Sequence, residues 1–148
     1  CHMPNTHGLT SNKPKAAQQI IEAALDRFGR IDPSVNNAGA TYGNDYENIY
    51  AGGMAHLCAI NSTEPPQILA HALPHLKAGA SVVNISSTNA RLLAQAAQLY
   101  SVSKAALDTW TKAAAKTLGP KGIRVNALTP GAVNTDQAAR PEGLTELF

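Results

Sequence analysis

Hydrophobic positions recur with helical spacing in three segments of the chain. These predicted helices cover about residues 12–28, 51–77 and 100–118. Asn12 and Pro14 are start signals for the first helix, and Gly29 is a stop signal. In the second segment Pro65 and Pro66 predict a kink or a break, because proline removes a helical hydrogen bond. The pattern therefore predicts three helices, the second of them irregular.

Three short apolar runs, rich in β-branched residues, lie between or after these helices. They predict strands at about residues 31–36, 82–85 and 123–128. Pro33 is awkward in the first run, since proline cannot donate to a strand ladder. Alternation of helices with apolar strands predicts an α/β domain whose parallel sheet is joined by right-handed crossovers.

Composition restricts the function classes. The chain has 148 residues, which fits one domain, and a net charge of +2. That charge is too small to argue for nucleic acid or a membrane surface. Cys1 and Cys58 do not make a disulfide framework, and we find neither a signal peptide nor a run long enough to span a bilayer. We therefore expect a cytoplasmic protein, with residues 1–8 disordered or foreign to the fold.

The residues that carry chemistry lie around the second strand. Ser86 and Ser87 follow the apolar run, and Tyr100 and Lys104 share one face of the next helix because they are four residues apart. A nearby ammonium favours the ionised form of a phenol. A serine at the adjoining strand end is placed to hold a substrate oxygen against that phenol. The alternative is a solvated lysine above a half-buried tyrosine.

The other two predicted strands also end in motifs. Asn-Asn-Ala-Gly occupies residues 36–39, and Pro-Gly-x-x-x-Thr occupies residues 130–135. Small residues at a strand's carboxyl end let a ligand approach the backbone, although each motif alone is equally typical of an ordinary turn. His71 and His75 have the spacing of a zinc pair, but no third ligand accompanies them, so we predict no metal site.

Taken together and in this order, these motifs resemble the short-chain dehydrogenase/reductase (SDR) family from about Leu9 to about Arg140. The resemblance implies a Rossmann-like doubly wound parallel sheet and NAD(P)-dependent hydride transfer to or from a carbonyl or alcohol substrate. It makes Tyr100 the general acid or base. It makes Lys104 the residue that lowers the pKa of Tyr100 and binds the nicotinamide ribose.

The resemblance also implies roles for the surrounding residues. Ser87, thirteen residues before Tyr100, would orient the substrate oxygen, with Ser86 as the runner-up. Asn61 would support a proton relay. The cofactor, NAD or NADP, would lie beside one group of residues near the first and third strands: Asn37, Ala38, Gly39, Pro130, Gly131, Val133 and Thr135. The resemblance further implies that Asn37 stabilises the sheet. It also implies that the Val133 backbone and Thr135 hold the nicotinamide carboxamide.

One family feature has no counterpart in the sequence, namely the glycine-rich turn Thr-Gly-x-x-x-Gly-x-Gly that binds the pyrophosphate. The acidic residue that selects NAD or NADP is likewise not found. We therefore expect a partial dinucleotide-binding domain over residues 1–148, containing the second half of the fold and one preceding helix. We favour a larger homodimeric or homotetrameric enzyme. The alternative is a non-catalytic half-domain that only associates with other chains.

Overall fold

The computed structural model describes residues 14–32, 34–41, 49–92 and 97–133. Predictions that concern residues 1–8, Pro33 and Thr135 lie outside these ranges. The described elements occur in the following order: α1 (Pro14–Phe28), β1 (Ser34–Asn36), α2 (Ala51–Cys58), a π-helical turn (Ala59–Thr63), α3 (Glu64–Ala72), a 3-10 turn (Leu73–His75), β2 (Ser81–Ile85), a 3-10 turn (Thr88–Ala90), α4 (Gln98–Leu118), a 3-10 turn (Gly119–Lys121) and β3 (Arg124–Leu128).

The three strands form one parallel sheet in the order β1-β2-β3. Val35 pairs with Val83, and Val83 pairs with Asn126 in the next strand. Parallel neighbours require crossover connections, which α2, α3 and α4 provide. The predicted partial Rossmann-like α/β fold is confirmed. The first strand is shorter than predicted and begins at Ser34.

The hydrophobic core lies between one face of the sheet and helices α3 and α4. Its buried members come from four elements and the turn before β3: Leu69, Val82, Leu118, Ile123 and Val125. Val82 is 1% exposed, and burial of a valine side chain contributes about 1.5–3 kcal/mol. This packing fixes β2 and α4 against each other, so that the carboxyl end of β2 faces the first turns of α4.

The break in the second predicted helix starts before the prolines that predict it. The amide of Glu64 donates to the carbonyl of Ala59, five residues earlier, which is a π-type bond. Pro65 and Pro66 then occupy the first turn of α3, where a missing amide is tolerated. Because both prolines lack an N–H, the preceding turn cannot keep its α-helical bonds, and it widens. This widened turn carries Asn61.

Glycines end two of the elements. Gly29 follows α1 with a φ of 67°, and its amide donates to the carbonyl of Leu25 at 2.7 Å. Gly122, two residues before β3, has a φ of 74°. A β-carbon added to Gly122 would lie 3.0 Å from the Ala78 β-carbon. These are the left-handed positions that favour glycine. The predicted ends of the first and last helices are therefore confirmed.

Candidate active site

The serine at the end of β2 and the tyrosine at the start of α4 face each other. The Ser87 side chain is a hydrogen-bonding neighbour of the Tyr100 phenol and acts to lower its pKa. Its oxygen also accepts from the amide of Asn89 at 3.2 Å, which fixes the hydroxyl at the start of a 3-10 turn. Ser86 is buried instead, and its hydroxyl donates to the carbonyl of Lys104 at 3.4 Å. Of the two serines, Ser87 is the one in contact with the phenol.

Lys104 is buried behind this pair. It is 3% exposed, and Nζ donates to the carbonyl of Ile85 at 2.8 Å. Nζ lies 5.7 Å from the centroid of the Tyr100 ring, within the range of a cation–π contact. Burial lowers the pKa of Lys104, and the negative charge of Asp108 acts in the opposite direction. The strand end thus holds the ammonium in one position.

The expected lowering of the Tyr100 pKa needs correction. Burial raises the pKa of Tyr100 above its ordinary value, and the hydrogen bond from Ser87 only partly offsets this. Desolvation disfavours the phenolate, and here it outweighs the favourable interactions. In the structure as described, the tyrosine is therefore held as a neutral phenol.

Asn61 connects the turn after β1 to helix α4. Its Oδ1 accepts from the amide of Ala40 at 2.9 Å, and its Nδ2 donates to the carbonyl of Ala40 at 2.8 Å. Nδ2 also donates to Oγ of Ser103 at 3.0 Å. Ser103 in turn donates to the carbonyl of Tyr100 at 2.7 Å. Through its oxygen and its nitrogen, the side-chain amide of Asn61 therefore holds the turn after β1 against helix α4.

The turn after β1 passes close to the lysine. A β-carbon on Gly39 would lie 3.3 Å from Oδ1 of Asn61 and 3.4 Å from Nζ of Lys104. Glycine thus allows the backbone to approach the ammonium closely. Asn37, Ala38 and Gly39 are all exposed, so this part of the turn is accessible to a ligand.

The side chain that bridges the strands is Asn36 rather than the expected Asn37. Nδ2 of Asn36 donates to Oδ1 of Asn84 on β2 at 2.7 Å. Nδ2 of Asn84 continues the chain by donating to Oγ1 of Thr111 on α4 at 2.9 Å. Asn37 lies just beyond the end of β1 and is exposed. This series of side-chain hydrogen bonds fixes the positions of β1, β2 and α4 relative to one another.

The turn after β3 lies beside the serine turn. The amide of Thr88 donates to the carbonyl of Pro130 at 2.9 Å. Gly131 and Val133 are exposed, Val133 to 56%, and Pro130 is half-buried. The predicted cofactor residues after β1 and β3 therefore lie on either side of the Ser87 turn, at the same edge of the sheet.

Two further features limit other site types. Within the described ranges, no three His, Cys, Asp or Glu side chains are grouped as metal ligands, and His75 is exposed while His71 is half-buried. None of the described helices has a long apolar stretch of the kind that crosses a membrane.

Several residues of the site were not predicted from the sequence. Ser103, Asn84, Thr111 and Asp108 are all buried polar residues that contact or face the predicted set. A signal existed for two of them: Asn84 interrupts an apolar strand, and Asp108 lies one helical turn after Lys104. Polar residues at core positions require partners. Ser103, Asn84 and Thr111 have them, whereas Oδ1 of Asp108 has none among the described residues.

A serine at the end of a parallel strand, facing a tyrosine and a lysine on the following helix, places this chain in the nucleotide-binding α/β class of proteins. The family model described as Enoyl-(Acyl carrier protein) reductase matches residues 11–148. The chain belongs to the short-chain dehydrogenase/reductase family. This family uses NAD(P) and small-molecule substrates.

Individual relatives agree with this assignment. The chain is 35% identical over 134 residues to the short-chain dehydrogenase/reductase FrzI of Cladobotryum sp, covering 90% of this chain and 52% of that protein. It is similar to a dehydrogenase/reductase from Sinorhizobium meliloti 1021, with a TM-score of 0.80, 35% identity, and coverage of 83% of this chain and 49% of that one.

A third similar protein was crystallised with a cofactor. It is a short-chain dehydrogenase from Burkholderia cenocepacia J2315 in complex with NADP, with a TM-score of 0.79 and 32% identity. The match covers 83% of this chain and 51% of that one. The chain spans about half the length of the curated relatives it matches.

Proposed function

We propose that the whole protein transfers a hydride between NAD or NADP and a carbonyl or alcohol substrate, with Tyr100 as the general acid or base. The observation that carries this proposal is the convergence of Ser87, Tyr100 and Lys104 at the end of β2, where Nζ of Lys104 donates to the Ile85 carbonyl at 2.8 Å and lies 5.7 Å from the centre of the Tyr100 ring. Two hydroxyls that converge at the edge of a sheet form a site for one substrate oxygen.

Tyr100 and Ser87 act on that oxygen together. In the reducing direction Ser87 donates a hydrogen bond to the carbonyl oxygen, and Tyr100 supplies the proton as negative charge develops there. The raised pKa of Tyr100 keeps the phenol protonated at neutral pH, which suits it to donate a proton.

Lys104 stabilises the phenolate that remains after the proton has left. Its Nζ is fixed by the Ile85 carbonyl and lies over the face of the Tyr100 ring. A buried positive charge interacts more strongly with the new phenolate than a solvated one would. A lysine held in advance also avoids reorganisation during the reaction.

We propose that the backbone of Asn61, rather than its side chain, serves a proton relay. Both polar atoms of the side chain are bonded to Ala40 and Ser103. The backbone carbonyl of Asn61, in contrast, is followed four and five residues later by Pro65 and Pro66, which have no amide hydrogen to donate. That carbonyl is therefore free of α- and π-helical partners and can accept from a water molecule.

The cofactor fits the edge formed by the turns after β1 and β3. The absence of a β-carbon on Gly39 leaves room beside Nζ of Lys104, and Gly131 and Val133 are exposed on the other side. We propose that Asn37, Ala38 and Gly39 line one side and that Pro130, Gly131, Val133 and Thr135 line the other, with Lys104 contacting the ribose. When bound, the nicotinamide cofactor supplies or accepts the hydride.

Replacement of Tyr100 by phenylalanine tests this function. We expect the Tyr100→Phe variant of the whole protein to lose about a hundredfold to ten-thousandfold in turnover of NADPH with a carbonyl substrate, the range for loss of a general acid. Cofactor binding, measured by fluorescence titration, should persist, because the ring remains. Turnover equal to that of the wild-type protein would rule out Tyr100 as the acid.

A second candidate is a domain that acts by associating with other chains. Val35 is 61% exposed and Leu128 is 56% exposed. By the strand register they lie on one face of the sheet together with Val83 and Ile85, opposite the core face. An open apolar sheet face favours association. This candidate predicts concentration-dependent assembly of the chain in light scattering, and no binding of NADPH.

The cellular setting is a further part of the proposal. Cysteine usage in the sequence supports a cytoplasmic location, and membership of the family, whose members usually form dimers or tetramers through two long helices, supports a homodimer or homotetramer. Fractionation of cells and the mass of the native protein in solution test these two points.

A further inference from the structure

Asp108 is a buried carboxylate on the same face of α4 as Lys104. The two residues are four apart, so their side chains leave the helix on adjacent turns of one face. Lys104 is 3% exposed and Asp108 is 7% exposed. Buried charges in proteins are ordinarily compensated by opposite charge or by hydrogen bonds.

The hydrogen bonds that Asp108 makes do not account for its burial. Oδ1 of Asp108 is buried without a hydrogen-bond partner in the described part of the chain. Oδ2 lies 3.7 Å from Nε of Arg91, which is longer than a good hydrogen bond, and the Arg91 side chain is 66% exposed. An ion pair with an exposed arginine contributes little to stability. Another interaction is therefore needed to explain a carboxylate at this position.

The Lys104 ammonium, buried one helical turn before Asp108, is a candidate for that interaction; its Nζ bonds the Ile85 carbonyl rather than the carboxylate, so the two charges would interact through space. Its neighbours on other elements are neutral: the Ile85 carbonyl on β2 and the Asn61 amide on the π turn. Other charged or titratable groups on elements packed against α4 are Arg91 beside the 3-10 turn, His56 and Cys58 on α2, Lys121 on the 3-10 turn after α4, and Arg124, which starts β3 at the opposite edge of the sheet; on α4 itself, the exposed Lys112 lies one turn beyond Asp108. Asp108 is the one negative group among these described residues.

We propose that Asp108 is a positioning residue that keeps the Lys104 ammonium charged in its buried place. A neutral lysine amine could still bind the Ile85 carbonyl, but it could not stabilise a phenolate electrostatically. Burial alone favours the neutral amine, and the negative charge of Asp108 opposes that effect by raising the pKa of Lys104. The catalytic meaning of this role rests on the proposed function, whereas the charge coupling itself does not.

The titration of Lys104 tests the coupling without cofactor or substrate. Lysine ε-carbons of the full chain are labelled and followed by NMR against pH, and the Lys104→Met variant identifies the resonance. Asp108→Asn should lower the pKa of Lys104, because it removes the opposing charge and preserves the shape. Asp26→Asn, which removes an exposed carboxylate on α1, is the matched control and should leave the titration unchanged.

A second variant separates the charge from the ion pair with Arg91. Arg91→Gln leaves Asp108 charged, so the pKa of Lys104 should stay the same or rise. If Asp108 served only to anchor Arg91, both variants would disturb Lys104 in the same direction. An unchanged titration in Asp108→Asn, or a fall in Arg91→Gln, overturns the inference. If Asp108→Asn fails to fold, Asp108→Ser, which also removes the charge, is titrated in its place: a lowered pKa of Lys104 supports the inference, and an unchanged one overturns it.

The kinetic consequence distinguishes this inference from the proposed function. In the whole protein, Asp108→Asn should reduce kcat most at high pH, where Lys104 loses its proton first, and Asp108→Glu should restore the profile. If Asp108→Asn lowers the pKa of Lys104 but the wild-type protein transfers no hydride, only the proposed function is contradicted. If the wild-type protein transfers hydride but Asp108→Asn leaves the pKa of Lys104 unchanged, only the role of Asp108 is contradicted.

Discussion

Removal of the Asn61 side chain should destabilise the fold more than its size implies. Asn61 is 1% exposed, and its amide makes three hydrogen bonds, two to the backbone of Ala40 and one to Ser103. In Asn61→Ala the amide and carbonyl of Ala40 lose their partners. A buried group left without a partner costs about 1–3 kcal/mol.

The magnitude follows from the exposure of the groups left behind. Ala40 is half-buried, so water can reach part of its backbone, and each lost bond there belongs at the lower end of that range. The bond to Ser103 is fully buried. Together these losses give a decrease of about 2–5 kcal/mol in the free energy of unfolding, which is a large part of the about 5–15 kcal/mol typical of a folded protein.

Urea unfolding monitored by circular dichroism measures this decrease. The matched control is Ser62→Ala, in the same π turn, which loses one bond from its hydroxyl to the Cys58 carbonyl at 3.0 Å. That bond is local to the helix, so we expect a change below about 1 kcal/mol. If Asn61→Ala and Ser62→Ala were equally stable, Asn61 would not be holding the turn after β1, and the account of the site would be wrong.

Three further predictions concern the serines, the tyrosine and a turn. Ser87→Ala should raise the pKa of Tyr100 further, because it removes the hydrogen bond that partly offsets burial, while Ser86→Ala should not; tyrosinate absorbance against pH distinguishes them. In the unsubstituted protein the same absorbance should show Tyr100 ionising above the ordinary value of about 10. Gly122→Ala should destabilise the chain by about 1 kcal/mol or more in thermal unfolding, since φ is 74° and the new β-carbon would meet Ala78 at 3.0 Å.

Much of the fold was predictable because it rests on short-range patterns. Apolar periodicity placed the helices and strands, and glycines at left-handed positions ended them. The alternation of helix and strand gave the parallel sheet, since crossovers of this length have one hand. The start of the irregular turn at Ala59 was not predictable, because it depends on which carbonyls Pro65 and Pro66 leave unpaired and how the helix responds.

The chemistry of the site was predictable in part. The spacing of Ser87, Tyr100 and Lys104 was enough to place them together, because the strand end and the helix face fix their directions. The direction of the Tyr100 pKa was not, since burial depends on tertiary packing that no local pattern encodes. Asp108 was missed because its spacing from Lys104 is a weak signal among ten acidic residues, and its burial depends on the same tertiary packing.

Transfer of deuterium from the cofactor to the product tests the central claim most directly. The whole protein is incubated with NADPH deuterated at the transferring position of nicotinamide C4 and with a panel of carbonyl compounds, and the alcohol products are examined by mass spectrometry. The account predicts that a product gains one deuterium on carbon with the wild-type protein, and that Tyr100→Phe nearly abolishes this gain. Equal deuterium transfer by Tyr100→Phe, or products that never carry deuterium, would contradict it.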